Sequence, residues 1–188
     1  LSPLDGKTRP AYVSGMALLT ILVAPDPRLK ATAQKVEKVD DGVRRLMDDM
    51  LETMYAAPGI GLAAPQVGVA KSVIVLDAAR KGEPAQPMFL ANPEILFASE
   101  ELHTYEEGCL SVPEHYADVT RPKRVRVRYL DRDNEIREIE DDGLLSTVIQ
   151  HEMDHLKGVL FIDHLSMLKR SMILRKLQKE RKLAGAGK

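Results

Sequence analysis

The order of patterned segments predicts an α+β fold. Antiparallel or mixed sheets pack around a central helix that carries H-E-x-x-H, with an N-terminal helix before the strands and a C-terminal helix closing the chain. Three observations carry this. Residues 40–57 have a helical apolar period. Short apolar runs then cluster between residues 73 and 139, with no helical period among them. Two further helical segments follow. Strands grouped together, rather than alternating with helices, give α+β and not a wound parallel sheet. A chain of 188 residues fits one domain with a sizeable core.

Residues 1–15 are polar and carry Pro and Gly. Met16 is the expected natural start, so 1–15 reads as an extension or a cloning remnant and 16–183 as a single domain. The apolar run 16–25 (MALLTILVAP) is too short to span a bilayer. Lys7 and Arg9 before it and Ala31-Thr32-Ala33 after it imitate a signal peptide. The run leads straight into Pro25-Asp26-Pro27-Arg28, however, and an early β-strand accounts for it.

In the first helix, Val43, Leu46, Met47, Met50, Leu51 and Met54 form one buried stripe. The Met-rich stripe reads as core packing. Asp40 or Asp41 caps the start, and Pro58-Gly59 ends the helix. Strands are expected at 73–76, 88–91, 102–105, around Val119, at 125–130 and at 136–139. Val125-Arg126-Val127-Arg128-Tyr129 alternates apolar and basic, which suits a sheet with one wet face. Residues 131–134 suit a hairpin turn. A second helix is expected over 143–156, stopped by Gly158, and a last one over 165–183.

The net charge of −1 gives no global attraction to nucleic acid or anionic membrane. The absence of Trp argues against base stacking. Neither a membrane nor a sequence-specific nucleic-acid partner is expected. A lone cysteine makes no internal disulfide, so nothing points to an oxidising compartment. The last helix is locally basic: Lys169, Arg170, Arg175, Lys176, Lys179, Arg181 and Lys182 face a single acid, Glu180. Its plain reading is a solvated helix packed through Leu168, Met172, Ile173 and Leu177.

The second helix contains QHEMDHLKG, residues 150–158. His151 and His155 leave one helical face a turn apart, so two imidazoles can grip one metal ion. Glu152 sits beside the first ligand, where a general base is needed. The apolar turn before it (Leu144, Leu145, Val148, Ile149) implies a buried pair. A catalytic site needs a third ligand. In the pattern HExxHxxGxxH the third histidine would fall at 161, which here is Phe161. His164 is a candidate, but it lies past Gly158 in a different local geometry; His103, His115 and His164 are each isolated, and Glu180 reads as a surface ion pair. Cys109 is the better candidate, because Gly108 lets the backbone turn sharply and a metal would hold the thiolate. Taken alone, a single cysteine reads as a small buried hydrophobe.

Three stretches in order, GIGLAAPQVG (59–68), EGCLSVP (107–113) and QHEMDHLKG (150–158), resemble the signature motifs of the peptide deformylase family, bacterial-type branch. The opening LVAPDPRLKATAQKV (22–36) resembles that family's N-terminal stretch. The resemblance implies that Cys109, His151 and His155 hold one divalent ion, Fe2+ by expectation, with Zn2+, Ni2+ or Co2+ able to substitute. It implies a hydrolase that removes the N-formyl group from the formylmethionine of nascent peptides and releases formate. Glu152 would serve as base. Gln66 and the Leu110 N–H would stabilise the formyl oxygen. Ile60, Gly61 and Gly108 would flank the substrate backbone as an added strand, and Leu144, Thr147 and Val148 would wall the methionine pocket. A buried link among Glu107, Asp154 and Arg121 is expected to tie the cysteine loop to the helix. Many relatives carry an Arg where this chain has Tyr116, which leaves the peptide's far end differently held.

The resemblance also implies ribosome contact through the basic helix and a bacterial cytoplasmic location, or an organelle if residues 1–15 belong to a targeting extension. Two other classes compete. One is an H-E-x-x-H zinc endopeptidase, against which Phe161 and EGCLSVP count. The other is a non-catalytic metal-stabilised module that binds nascent chains or ribosomes, against which Glu152 and Gln66 count.

Overall fold

A computed structural model of the chain describes residues 17–185, residue 81 excepted. The expectations for residues 1–15 and for Met16 lie outside the described residues. The elements run α1 (Asp41–Ala56), β1 (Gly61–Ala63), β2 (Val73–Leu76), β3 (Met88–Ala98), β4 (Leu102–Cys109), β5 (Val112–Pro122), β6 (Val125–Leu130), β7 (Ile136–Asp141), α2 (Leu144–Leu156) and α3 (Met167–Gly185). Short 3-10 turns lie at Pro27–Lys30, Ala64–Val67 and Phe161–His164. One sheet has the order β1-β2-β3-β6-β7, and β4 pairs with β5 as a separate hairpin. The strand pairings are antiparallel. The fold is α+β.

α1 forms where the apolar stripe predicts it. Asp40 accepts the Val43 N–H at 2.9 Å, satisfying a first-turn donor. Val43, Met47, Met50, Leu51 and Met54 are buried and pack on Leu62, Val73 and Val75. The alternate residues of β2, Ile74 and Leu76, meet Val148, Ile149 and Met153 of α2. Thus β2 is buried on both faces, which is why Val73-Ile74-Val75-Leu76 shows no polar alternation. α2 lies between the sheet and the hairpin. On the hairpin side Gln150 Nε2 donates to the Pro122 carbonyl at 2.9 Å. Asp141 starts the helix, its Oδ2 accepting the Ser146 N–H at 2.9 Å. Among the described residues no helix is long and apolar enough to cross a membrane.

Several elements differ from expectation. The run 17–23 is not a strand of either sheet. It is an extended strap, with the Leu22 N–H donating to the Gln66 carbonyl and the Ala24 N–H to the Ser111 carbonyl, each at 2.8 Å. β3 continues past Ala91 to Ala98 because a register shift between Ala91 and Glu94 accommodates Asn92-Pro93. β4 and β5 are longer than the runs at 102–105 and Val119, since backbone pairing carries through polar residues. α3 begins at Met167, because Leu165 ends the preceding turn. Its buried face is also corrected. Leu168 and Met172 are exposed, while Leu177 is buried with Ile173 and Leu174 against it.

Candidate metal centre

α2 presents His151 and His155 with ring centroids 5.0 Å apart and planes at 76°. Both are buried. The hairpin brings Cys109 to them from the end of β4. Its Sγ lies 3.3 Å from His155 Nε2, and one donor atom from each of the three residues lies within 4.8 Å of the others. One thiol and two imidazoles form the donor set of a transition-metal ion, not of Ca2+ or Mg2+. Three such ligands leave the open fourth position of a catalytic site, so the residues fit the ion that the donor chemistry implies.

The cysteine turn has a local cause. Gly108 pairs with Tyr116, but Cys109 pairs with Val112. Residues 113–115 are therefore left unpaired as a bulge, with Glu114 at φ 59°, and Leu110-Ser111 makes the tight turn. Tyr116 packs over Gly108 so closely that a Cβ there would lie 2.6 Å from its ring.

Outer hydrogen bonds fix the donor cluster. His151 Nδ1 lies 2.8 Å from Glu107 Oε2. A carboxylate only accepts, so Nδ1 donates and Nε2 is left for the cluster. Glu107 accepts Arg121 Nε at 2.6 Å and Nη2 at 3.0 Å. Arg121 Nη1 donates to Asp154 Oδ2 at 2.8 Å, and His164 Nε2 donates to the same oxygen at 2.7 Å. The chain Glu107–Arg121–Asp154 joins hairpin to helix. Burial would raise the Glu107 pKa, but bonds from His151 and Arg121 outweigh it and hold it at about 2. Burial would lower His151, yet Cys109 and Glu107 outweigh it and hold it well above its ordinary value. His155 is pushed well below by burial and by the neighbouring His151 charge. Phe161 is buried and stacks on His151 with ring centroids 6.3 Å apart, so it backs the imidazole of the donor cluster that it cannot itself join.

Gln66 is buried. Its Oε1 accepts the Ala63 N–H at 2.8 Å, and its Nε2 donates to Ser111 Oγ at 3.1 Å and lies 3.5 Å from Cys109 Sγ. Ser111, given no role from the sequence, also donates its N–H to Cys109 Sγ at 3.4 Å. Its place directly after Cys-Leu in EGCLSVP was the available signal. Glu152 is buried, and its Oε2 has no protein partner. Burial raises its pKa to about 7. It lies flat against Gly61, where a Cβ would fall 2.3 Å from Oε1.

A cavity of about 270 Å³ opens over Cys109, His151 and Glu152. Ile60, Gly61, Gln66, Gly108, Leu110, Leu144, Thr147 and Val148 line it, and Tyr116 stands at its side. The Ile60 carbonyl already accepts the Asp77 N–H at 2.9 Å. The remaining histidines do not join the donor cluster. His103 bonds Thr147 at 2.9 Å, His115 bonds the Pro113 carbonyl at 2.8 Å, and His164 bonds Asp154. Glu180 lies 3.9 Å from Lys176 one turn away.

The polypeptide deformylase family model matches residues 18–171. A peptide deformylase of Phenylobacterium zucineum is 62% identical over 169 residues, covering 90% of this chain and all of that protein. One from Methylocella silvestris is 61% identical over 171 residues, covering 89% of this chain and 87% of its own length. Among solved structures, peptide deformylase from Ehrlichia chaffeensis superposes with a TM-score of 0.86 at 39% identity, covering 89% of this chain and 99% of that one. Another structure of the Ehrlichia chaffeensis enzyme, in complex with actinonin, gives 0.84 at 41% identity, covering 88% and 98%.

Proposed function

This chain belongs to the peptide deformylase family, and from that premise we infer how its residues divide the work. It is a metal-dependent hydrolase that removes the N-formyl group from the N-terminal formylmethionine of nascent polypeptides, releasing formate. Neither the endopeptidase nor the non-catalytic module is favoured by that kinship.

Cys109, His151 and His155 are assigned to hold the divalent ion, with Fe2+ as the proposed native metal and Zn2+, Ni2+ or Co2+ as substitutes. When bound, the ion supplies Lewis acidity, which makes a water nucleophilic near neutral pH. Glu152 takes a proton from the attacking water and later gives it to the leaving amine. The water oxygen joins the formyl carbon first, and the C–N bond breaks afterwards, when the carbonyl re-forms and the amine nitrogen takes the proton from Glu152. The unpaired Glu152 Oε2 supports this role. Negative charge grows on the formyl oxygen, where Gln66 Nε2 and the Leu110 N–H are assigned as donors. The Gln66 amide carries two hydrogens. Ser111 takes one, and the other faces only the long 3.5 Å contact to sulfur.

The substrate backbone is proposed to lie along the free edge of β1, between Ile60-Gly61 and Gly108. Leu144, Thr147 and Val148 receive the methionine side chain. We further propose that α3 contacts the ribosome through its cations and that the enzyme works in the bacterial cytoplasm. The observation that carries the assignment is the convergence of Cys109, His151 and His155 at a cavity beside a buried carboxylate. The test is formate release from formyl-Met-Ala-Ser by protein loaded anaerobically with ferrous iron. Wild type should turn over, and Glu152→Ala should not. Equal turnover in the two would refute the role of Glu152.

A further inference from the structure

His164 lies outside the cavity and outside the donor cluster, yet it closes a hydrogen-bonded chain that ends on a proposed metal ligand. We propose that His164 is a positioning residue for the metal centre, acting on His151 through Asp154, Arg121 and Glu107. The inference rests on the assignment of Cys109, His151 and His155 as ligands.

The links are short and continuous. His164 Nε2 donates to Asp154 Oδ2 at 2.7 Å. Arg121 Nη1 donates to that same oxygen at 2.8 Å. The other nitrogens of Arg121 clasp both oxygens of Glu107, and Glu107 Oε2 receives His151 Nδ1 at 2.8 Å. Arg121 and Glu107 side chains are only 6% and 3% exposed. Their geometry is therefore set by the protein and not by water. Asp154 is 18% exposed, so it is the link that solvent could loosen. His164 holds it from the solvent side. A single carboxylate oxygen bridging two donors can turn away from neither without losing a charge-assisted bond. Since Asp154 accepts, His164 must carry its proton on Nε2, which it does in that neutral tautomer and when charged.

The same short turn also carries Phe161, stacked on the His151 ring. The turn Phe161–His164 thus acts twice on one imidazole, by ring contact and by the polar chain. Loss of the group that hydrogen-bonds a metal ligand directly typically costs about 10- to 100-fold in metal affinity or activity. Acting further out, His164 should be worth several-fold.

The probe is Co2+, bound to wild type, His164→Ala, His164→Gln and Asp154→Asn. Its visible ligand-field bands and its rate of loss to a chelator are recorded beside thermal unfolding and steady-state kinetics. His164→Ala should release Co2+ several-fold faster with shifted bands. Its kcat should fall and its KM stay unchanged, because His164 does not line the cavity. His164→Gln keeps an N–H donor and should restore the wild-type bands and release rate. Adding His164→Ala to Asp154→Asn should have little further effect. If His164→Ala matches wild type, if Gln fails to rescue, or if the two substitutions add fully, the proposal is wrong. If wild type itself takes up no Co2+, the ligand assignment fails and this inference falls with it.

Discussion

Glu152 and Gly61 are locked together. A Cβ at Gly61 would meet Glu152 at Oε1, Cδ and Cγ, all within 3.0 Å. The glycine reads from the sequence as a backbone element beside the substrate, but its sharpest constraint is the carboxylate. Gly61→Ala should leave the fold intact and push Glu152 off its position. A misplacement of about 1 Å can cost roughly 100-fold in rate, so kcat should fall by about that factor with a smaller change in KM. A KM effect alone would mean that Gly61 serves only the substrate backbone. At this scale His151, His155 and Glu152 are legible, because four-residue spacing on a helix is a local property. Cys109 is not legible from spacing, since its approach depends on a hairpin register shift that no local pattern encodes; the family motif supplied it. Ser111 was missed for the same reason, as its partner Gln66 lies 45 residues away.

The turn between α2 and α3 shows what holds the elements in place. Asp163 accepts the Leu160 N–H at 2.8 Å and bonds Lys30 Nζ, and Arg170 Nε lies 2.9 Å away. One carboxylate thereby joins the Pro27–Lys30 turn, the Phe161–His164 turn and α3. Burial would raise its pKa, but the Leu160 N–H and Lys30 outweigh it and hold it below the ordinary carboxylate value. A depressed folded pKa gives stability that is present above the unfolded value and lost as pH falls through the folded one. Asp163→Asn should therefore cost stability at neutral pH and little at strongly acid pH, narrowing the gap between the two unfolding curves as pH falls. A constant gap at all pH values would exclude this linkage.

Removing α3 is a poor test of ribosome contact, because Leu177 is 3% exposed and belongs to the same core cluster as Phe161 and Leu22. Replacing the exposed Arg175, Lys179 and Lys182 with Gln avoids that core. Small-peptide turnover should be unchanged, ribosome affinity should drop, and its salt dependence should flatten. Unchanged affinity would remove α3 from the interface. Element types were readable wherever one face is buried, as in α1 and α2. Element lengths were not, because β3, β4 and β5 continue through polar residues on pairing alone. The basic face of α3 was plain from the sequence. Its packed face was misjudged, since a short apolar set at 168, 172, 173 and 177 fits more than one helix orientation.

For the whole molecule, the three proposed ligands come from two bodies, Cys109 from the hairpin and both histidines from α2. The core does not depend on them. Met50 and Leu51 of α1, Ile149 of α2 and Ile74 and Leu76 of β2 are almost completely buried, each worth about 1.5–3 kcal/mol. The polar chain Glu107–Arg121–Asp154 already ties hairpin to helix. A bound ion should therefore act as an added clamp and not as the condition of folding, unlike a small zinc domain. Binding to the folded state alone stabilises by about 2.7 kcal/mol at a free metal concentration 100 times Kd. For a chain of this size that corresponds to roughly 5–10 °C in Tm. Chelation should thus lower Tm by that amount, with far-ultraviolet circular dichroism unchanged at room temperature. Cys109→Ala should unfold near the chelated wild type and gain nothing from added metal. Loss of secondary structure on chelation would show that the ion is part of the core. A Cys109→Ala protein that still gains the full increment would show that the thiol is not a ligand.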